Sequence, residues 1–421
     1  MRSSMASNVT SDQLLLEEAN KDKVMLLLPV IVIVIVIMIL GTLGNSLVCY
    51  VYYFRMRKTP SHYFVLFLAV LDLVSCCIGM PSELGDLFLP YTFTLPFACK
   101  FLRFVLSFTI ISSCITLICV AFDRYYKVCK PLKGFPITKV QILCGVAIMI
   151  GAVLSWPALV IFGIKTVKTS EPGLYGKECS TSDSMGGTVF PLIYYATLVT
   201  AFIVTFAIFT TLYVRIGIEI NRRKKNPVGD RGPPISRETM RRRELTTSIL
   251  SDEESTSAEP CSDDETAREL RSNRSSFSHL RDYIVHHFKS DVNNDLKSSD
   301  NHFDSSMNNT LPSRRRKSMY RSIRTTYIFL AVFVAFLISF LPYLIVNILK
   351  HTKTMFHEFN TGTEEVVYNL CVRSFFISNF INPVIYSLLN KRFQKECKIL
   401  FKRYCCRCCQ QDRQMSPNSR R

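Results

Sequence analysis

The sequence predicts an all-α membrane protein: a seven-transmembrane helix bundle, followed by a short amphipathic helix lying on the membrane surface. Three observations carry that reading. Seven apolar segments have spanning length, their connections differ steeply in lysine and arginine, and single charges and prolines sit inside the apolar runs.

The chain has 421 residues, 48% of them hydrophobic, with a formal net charge of +18. Val24–Phe54 runs 31 residues without a formal charge, Phe104–Phe122 19, Val140–Ile164 25, Ser184–Val214 31 and Thr325–Leu349 25. Thr59–Ser82 and Val366–Asn390 carry one charge each, Asp72 and Arg373. A helix crosses the hydrocarbon layer in about 20 apolar residues, so each segment is long enough to span it. One such segment alone would read as a buried core helix; seven in one chain do not.

The first segment is too long for a signal-peptide core and reads as a retained anchor. Seven spans put the two ends on opposite sides, and basic residues choose the orientation. The connections on the side of Arg124, with the C-terminal tail, hold 40 lysines and arginines against 10 on the other side. The N-terminus is therefore expected outside the plasma membrane and the C-terminus inside. The positive charge then meets anionic lipid and acidic partners at the inner face, a better account of it than nucleic-acid binding.

In order, the expected organisation is an extracellular tail (1–23), spans one to five (24–219), a cytoplasmic third loop (220–320), spans six and seven (321–390), and a cytoplasmic amphipathic helix with a Cys-rich tail (391–421). The third loop is polar, with acidic SDEESTSAEPCSDDE between basic runs, and is expected to be disordered because it has too little apolar surface to offset its chain entropy. Its basic ends, Asn221–Lys225 and Arg314–Arg324, should continue the adjoining helices. Asn8 begins a glycosylation sequon in the outer tail, whereas the sequons at Asn273 and Asn308 fall inside.

A charge inside a bilayer is costly and is usually retained with a partner for function. Asp72 is mid-span, and Asn45, Ser113, Asn379 and Asn382 on other spans are candidate partners. Such a set of hard oxygens suits a small cation, here a possible allosteric sodium ion, though a bundle hydrogen bond alone would also satisfy Asp72. Pro342 and Pro383 remove backbone hydrogen bonds within helices and mark kinks. Glu83, Asp86, Arg103 and Arg373 lie towards the outer ends of their spans, where snorkelling to the interface competes with reading a zwitterionic or peptide ligand. In the tail, Phe393, Cys397, Leu400 and Phe401 share one face of a helix, with Lys395, Lys398 and Lys402 elsewhere. Cys405, Cys406, Cys408 and Cys409 follow as candidates for acylation, with zinc binding the alternative.

In these residues the chain resembles the rhodopsin-like G-protein-coupled receptors, and within them the neuropeptide type. The motifs are Gly44-Asn45, Leu68-Ala69 with Asp72, Asp123-Arg124-Tyr125, Phe340 with Pro342, and Asn382-Pro383-Val384-Ile385-Tyr386, in that order. The resemblance implies a disulfide between Cys99 and Cys179, and Arg124 held by Asp123 at rest and turned into the G-protein cleft on activation. It implies Tyr125, Tyr213 and Tyr386 in the same switch, and heterotrimeric G protein, receptor kinase and arrestin as partners. The sequence departs from the family pattern at Phe340, where tryptophan is usual, at Thr205, where proline is usual, and at Ser322, where an acid often faces the arginine. Ser378 and Asn379 stand in the reverse of the commoner order.

Leu106 occupies the position where amine receptors carry aspartate, and Phe376 the position where opsins carry lysine, so both classes are disfavoured. A peptide is the favoured ligand, with Glu83, Asp86, Arg103, Leu106, Phe340, Tyr343 and Arg373 as candidate contacts; a lipid or other small molecule is the alternative. An enzyme is excluded on present patterns, since metalloprotease and P-loop motifs and nucleophile constellations are lacking. A transporter or channel would show internal repeats or several mid-membrane acids, and this chain has one central acid and no repeat.

Overall fold

The computed structural model describes residues 2–130, 135–169, 171–225, 312–351, 359 and 361–414; the side chains of 2–11, 224–225, 312–322, 351 and 403–414 fall outside that description. The bundle comprises Met1–Ile220 and Met319–Arg421. Of a second unit, Asn221–Ser318, only the helix ends at 221–225 and 312–318 are described. The expected disorder of the third loop lies outside the described residues.

Six described helices are long and apolar enough to cross a membrane: Asp12–Arg55, Pro60–Phe88, Pro96–Cys129, Ile137–Ile161, Phe190–Arg223 and Ile323–Lys350. The seventh segment ends in a shorter apolar helix, Ser374–Leu389. The first span shows why these runs are helical. Its alternating Ile/Val string would favour a strand in water, but in hydrocarbon every backbone group must be satisfied within the segment. Burial accordingly follows the helical period: Leu27, Val30, Ile31, Val34 and Ile37 are buried while Val32, Ile33, Val36 and Ile39 are exposed. Lipid is the solvent for the second set.

Boundaries differ from the sequence reading in the first four spans, and the helix of the fifth span begins at Phe190 instead of Ser184. The first helix, α1, runs Arg2–Tyr50, so the polar tail continues the span as helix. It is tied there: Asn20 Nδ2 donates to the Phe88 carbonyl at 3.1 Å, its Oδ1 accepts from the Tyr91 amide at 3.1 Å, and Lys23 pairs with Glu365. The second span is α2 (Pro60–Val74), one π turn (Ser75–Gly79) and α3 (Met80–Phe88), six residues longer at its outer end than expected. The third is α4 (Pro96–Cys129). The fourth, α5 (Ile137–Ser155), breaks at Trp156-Pro157 into α6 (Ala158–Ile161), so Phe162–Ile164, expected in the span, begin a strand.

That strand, β1 (Phe162–Lys168), pairs antiparallel with β2 (Tyr175–Thr181), setting Ile164 opposite Cys179. The outer connection joins in, with the Phe93 amide donating to the Lys177 carbonyl at 3.0 Å and the Lys177 amide to Tyr91 at 2.7 Å. Gly176 allows this approach, because a Cβ there would lie 2.7 Å from the Tyr91 Cβ. A disulfide joins Cys99 at the head of the third span to Cys179.

The fifth and sixth spans are α7 (Phe190–Lys225) and α8 (Pro312–His351), whose basic inner ends continue the helices as expected. The seventh is not one helix. Gly362–Val372 (α9) stops at Arg373, Ser374–Phe376 forms a 3-10 turn, and Ile377–Leu389 (α10) resumes. Lys391–Gln414 (α11) follows directly. One apolar core runs through the bundle from Leu27 to Leu400.

Candidate functional site

At the inner end of α4 two charged side chains are wholly enclosed: Asp123 is 0% and Arg124 2% exposed. Arg124 Nη2 donates to Asp123 Oδ2 and to Ser61 Oγ, and its guanidinium lies 5.2 Å from the Phe329 ring centre on the sixth span. Lys127 Nζ reaches the same two acceptors, Asp123 Oδ2 at 2.9 Å and Ser61 Oγ at 3.0 Å. Asp123 Oδ1 and Arg124 Nε have no hydrogen-bond partner among the described residues. Tyr213 stacks on Phe209 and Phe333, Tyr386 packs 6.1 Å from Tyr52, and both hydroxyls are buried without partners among the described residues. Tyr125 is half-buried and stands edge-on to Tyr126.

Mid-bundle, Asn382 Nδ2 donates to Asp72 Oδ2 at 2.8 Å, and Asn379 Nδ2 donates to Ser75 Oγ at 2.7 Å. Asn45 Nδ2 donates to the carbonyls of Asn379 at 2.6 Å and Gly41 at 3.0 Å. Ser113 lines the same cavity as Asp72, Asn379 and Asn382, and Phe340 is also part of its wall. About 20 Å³ there is open to the centre of a water-sized sphere, room for about one water or a bare ion. All five sequence-predicted polar residues thus gather between the first, second, third and seventh spans. Ser75 and Thr109 escaped the sequence reading, although Ser75 lies one turn from Asp72 on the same face.

The in-helix prolines Pro342 and Pro383 are near in sequence to the cavity-lining Phe340 and Asn382. Ser374 Oγ donates to the Ser339 carbonyl at 2.7 Å, three residues before Pro342. Phe340 rests on Phe336 and Phe375 at 4.5 and 5.7 Å, with Tyr343 edge-on to Phe375 at 5.6 Å. Leu106 is buried, and a Cβ on Gly79 would lie 3.2 Å from its Cδ1.

At the outer end the four expected ligand charges close on one another instead of standing free or snorkelling. Arg103 pairs with Glu83 and Asp86 and donates to the Cys179 carbonyl at 3.3 Å; Arg373 Nε lies 3.1 Å from Glu83 Oε2. Glu83 is 3% exposed and Arg373 10%. The reason is geometric: the second span runs on to Phe88, which sets Glu83 and Asp86 beside Arg103, and the break at Arg373 turns its side chain onto Glu83.

On α11, Phe393 and Leu400 are buried against the bundle and Phe401 is exposed. Arg55 pairs with Glu396 at 3.2 Å and Asn390 Nδ2 donates to the Tyr52 hydroxyl at 2.8 Å. Burial, with Glu396 adjacent, pushes the Cys397 thiol up to about 11 and keeps it protonated. The side chains of Asn8, Ser322, Cys405, Cys406, Cys408 and Cys409 lie outside the described residues. Among the described residues no group of three or more His, Cys, Asp or Glu side chains is placed to hold a metal.

Residues 44–386 match the profile of the 7 transmembrane receptor (rhodopsin family). The chain belongs to this family. The receptor is 26% identical over 246 residues to Neuromedin-U receptor 1 of Mus musculus, covering 56% of this chain and 57% of that protein. It is 29% identical over 204 residues to Neuromedin-U receptor 2 of Rattus norvegicus, covering 46% and 51%. It is 35% identical over 128 residues to G-protein coupled receptor 54 of Oreochromis niloticus, covering 29% and 33%. The receptor spans about half the length of the curated neuromedin-U relatives it matches. Its family is one of membrane receptors, not enzymes.

Proposed function

We propose that this receptor carries a signal from an extracellular peptide to heterotrimeric G proteins by opening its cytoplasmic face. The observation that supports this most is the enclosed Asp123–Arg124 pair, roofed by Phe329 of the sixth span and held by Ser61 of the second. Asp123 and Arg124 are neighbours on one helix, and the contacts that hold Arg124 against its partner from the second and sixth spans, Ser61 and Phe329, end when those helices part. A ligand favours that parting by its differential affinity for the two arrangements. The peptide class rests on relatives named for neuromedin U, and one named as the C3a anaphylatoxin chemotactic receptor.

The basic inner connections support a plasma-membrane receptor with its N-terminus outside, where Asn8 would carry glycan, with Cys405, Cys406, Cys408 and Cys409 of α11 acylated. Receptor kinase and arrestin follow as partners of the same inner face. The Asp72 cavity fits a sodium ion by its donor set: one carboxylate with neutral oxygens of Ser113, Asn379 and Asn382 suits a monovalent ion better than a divalent one. Bound there, sodium would favour the closed arrangement.

The test is nucleotide exchange on a panel of G proteins, in cells expressing the chain or Arg124→Ala at equal surface number and screened with peptides. Exchange that Arg124→Ala reduces supports the proposal. Ligand-evoked current without exchange would replace it with a channel.

A further inference from the structure

We infer that Lys127 is a second cation kept on Asp123 so that Arg124 can leave. The inference deepens the proposed function and rests on Asp123 and Arg124 being a releasable pair. Two cations share one carboxylate oxygen and one serine: Arg124 Nη2 and Lys127 Nζ both reach Asp123 Oδ2, and both reach Ser61 Oγ. A surface pair one turn apart on a helix contributes little, and that is the plain reading of Lys127. Two observations weigh against it. Asp123 is 0% exposed and Lys127 only 24%, so this is not a surface pair, and Lys127 shares both acceptors with Arg124.

The two cations also differ in what they depend on. Arg124 is placed by Ser61 on the second span and Phe329 on the sixth, contacts that end when the inner face opens. Lys127 loses Ser61 as well, but its bond to Asp123 lies within one helix, four residues apart, and survives movements between helices. A buried carboxylate stripped of its only partner is heavily penalised. Lys127 removes that penalty from the open arrangement. In the closed one it adds less, because Arg124 already neutralises Asp123 and the two cations repel. It therefore shifts the equilibrium towards release.

The experiment measures the affinity of purified full-length receptor, without ligand, for nucleotide-free heterotrimers from a G-protein panel, since apparent affinity scales with the open fraction. The chains are the parent, Lys127→Gln, Lys127→Arg, Asp123→Asn and the double variant Asp123→Asn with Lys127→Gln. Lys127→Gln should weaken binding about fivefold, and Lys127→Arg should retain most of it. In the Asp123→Asn background Lys127→Gln should change nothing, because no charge is left to orphan. An equal loss in both backgrounds, as from a direct G-protein contact or a folding defect, overturns the inference, and so does tighter binding by Lys127→Gln. Binding by none of the chains overturns the G-protein reading itself.

Discussion

Asn45 on the first span donates its side-chain amide, at 2.6 Å, to the carbonyl of Asn379 on the seventh. That is the carbonyl Pro383 deprives of its helical partner four residues on. Gly44 brings the two helices this close: a Cβ there would sit 2.8 and 2.9 Å from the Pro383 Cβ and Cγ. The carbonyl that Pro383 leaves without a helical partner is thus capped from the first span.

Asn45→Ala should expose that debt. The orphaned carbonyl costs about 1–3 kcal/mol, to be seen as a lower thermal midpoint of the detergent-solubilised receptor. An unchanged midpoint would mean that water caps the carbonyl equally well.

Glu83→Gln should act on stability before it acts on ligand response. It strands Arg373 in a nearly closed site and leaves Arg103 with Asp86 alone, and breaking a buried pair costs about 3–5 kcal/mol. Surface expression should fall, and pairing Glu83→Gln with Arg373→Gln should restore part of it. Full expression of the single variant with only a weakened response would return Glu83 to a free ligand contact.

Gly151→Ala tests the packing of the fourth span on the third. Its Cβ would lie 2.0 Å from Ser112 Oγ and 3.2 Å from Ser112 Cβ, so the hydroxyl must turn away and the third span must still give slightly. Overpacking of this kind costs roughly 1–3 kcal/mol. A stability equal to the parent would show that the two helices slide apart freely.

Sodium should stabilise the receptor through Asp72. The thermal midpoint in sodium chloride should exceed that in choline chloride at equal ionic strength, and Asp72→Asn should abolish the difference. Equal midpoints in both salts for the parent would remove the ion from the account.

The sequence made legible what hydrocarbon enforces. Apolar length and basic asymmetry gave the spans, and Asp72, Asn379 and Asn382 were visible as polar exceptions that the structure brings together. It was blind where partners are distant in sequence. The apolar run from Val140 to Ile164 carries no mark of where membrane ends and strand begins; the pairing of Ile164 with Cys179 decides it. Arg373 looked like an isolated charge in a helix, yet a helix break and Glu83, 290 positions earlier, account for it. Ser61 looked like an ordinary residue after Pro60, and its role with Arg124 is set by the third span alone.

The most direct measurement is the distance between spin labels on the inner ends of the third and sixth spans, at Lys130 and Ile323, in full-length receptor with and without nucleotide-free G protein. The account predicts a longer distance in the complex, with Arg124→Ala weakening the complex. A distance unchanged in a complex that nevertheless forms would contradict release of Arg124 by separation of the helices.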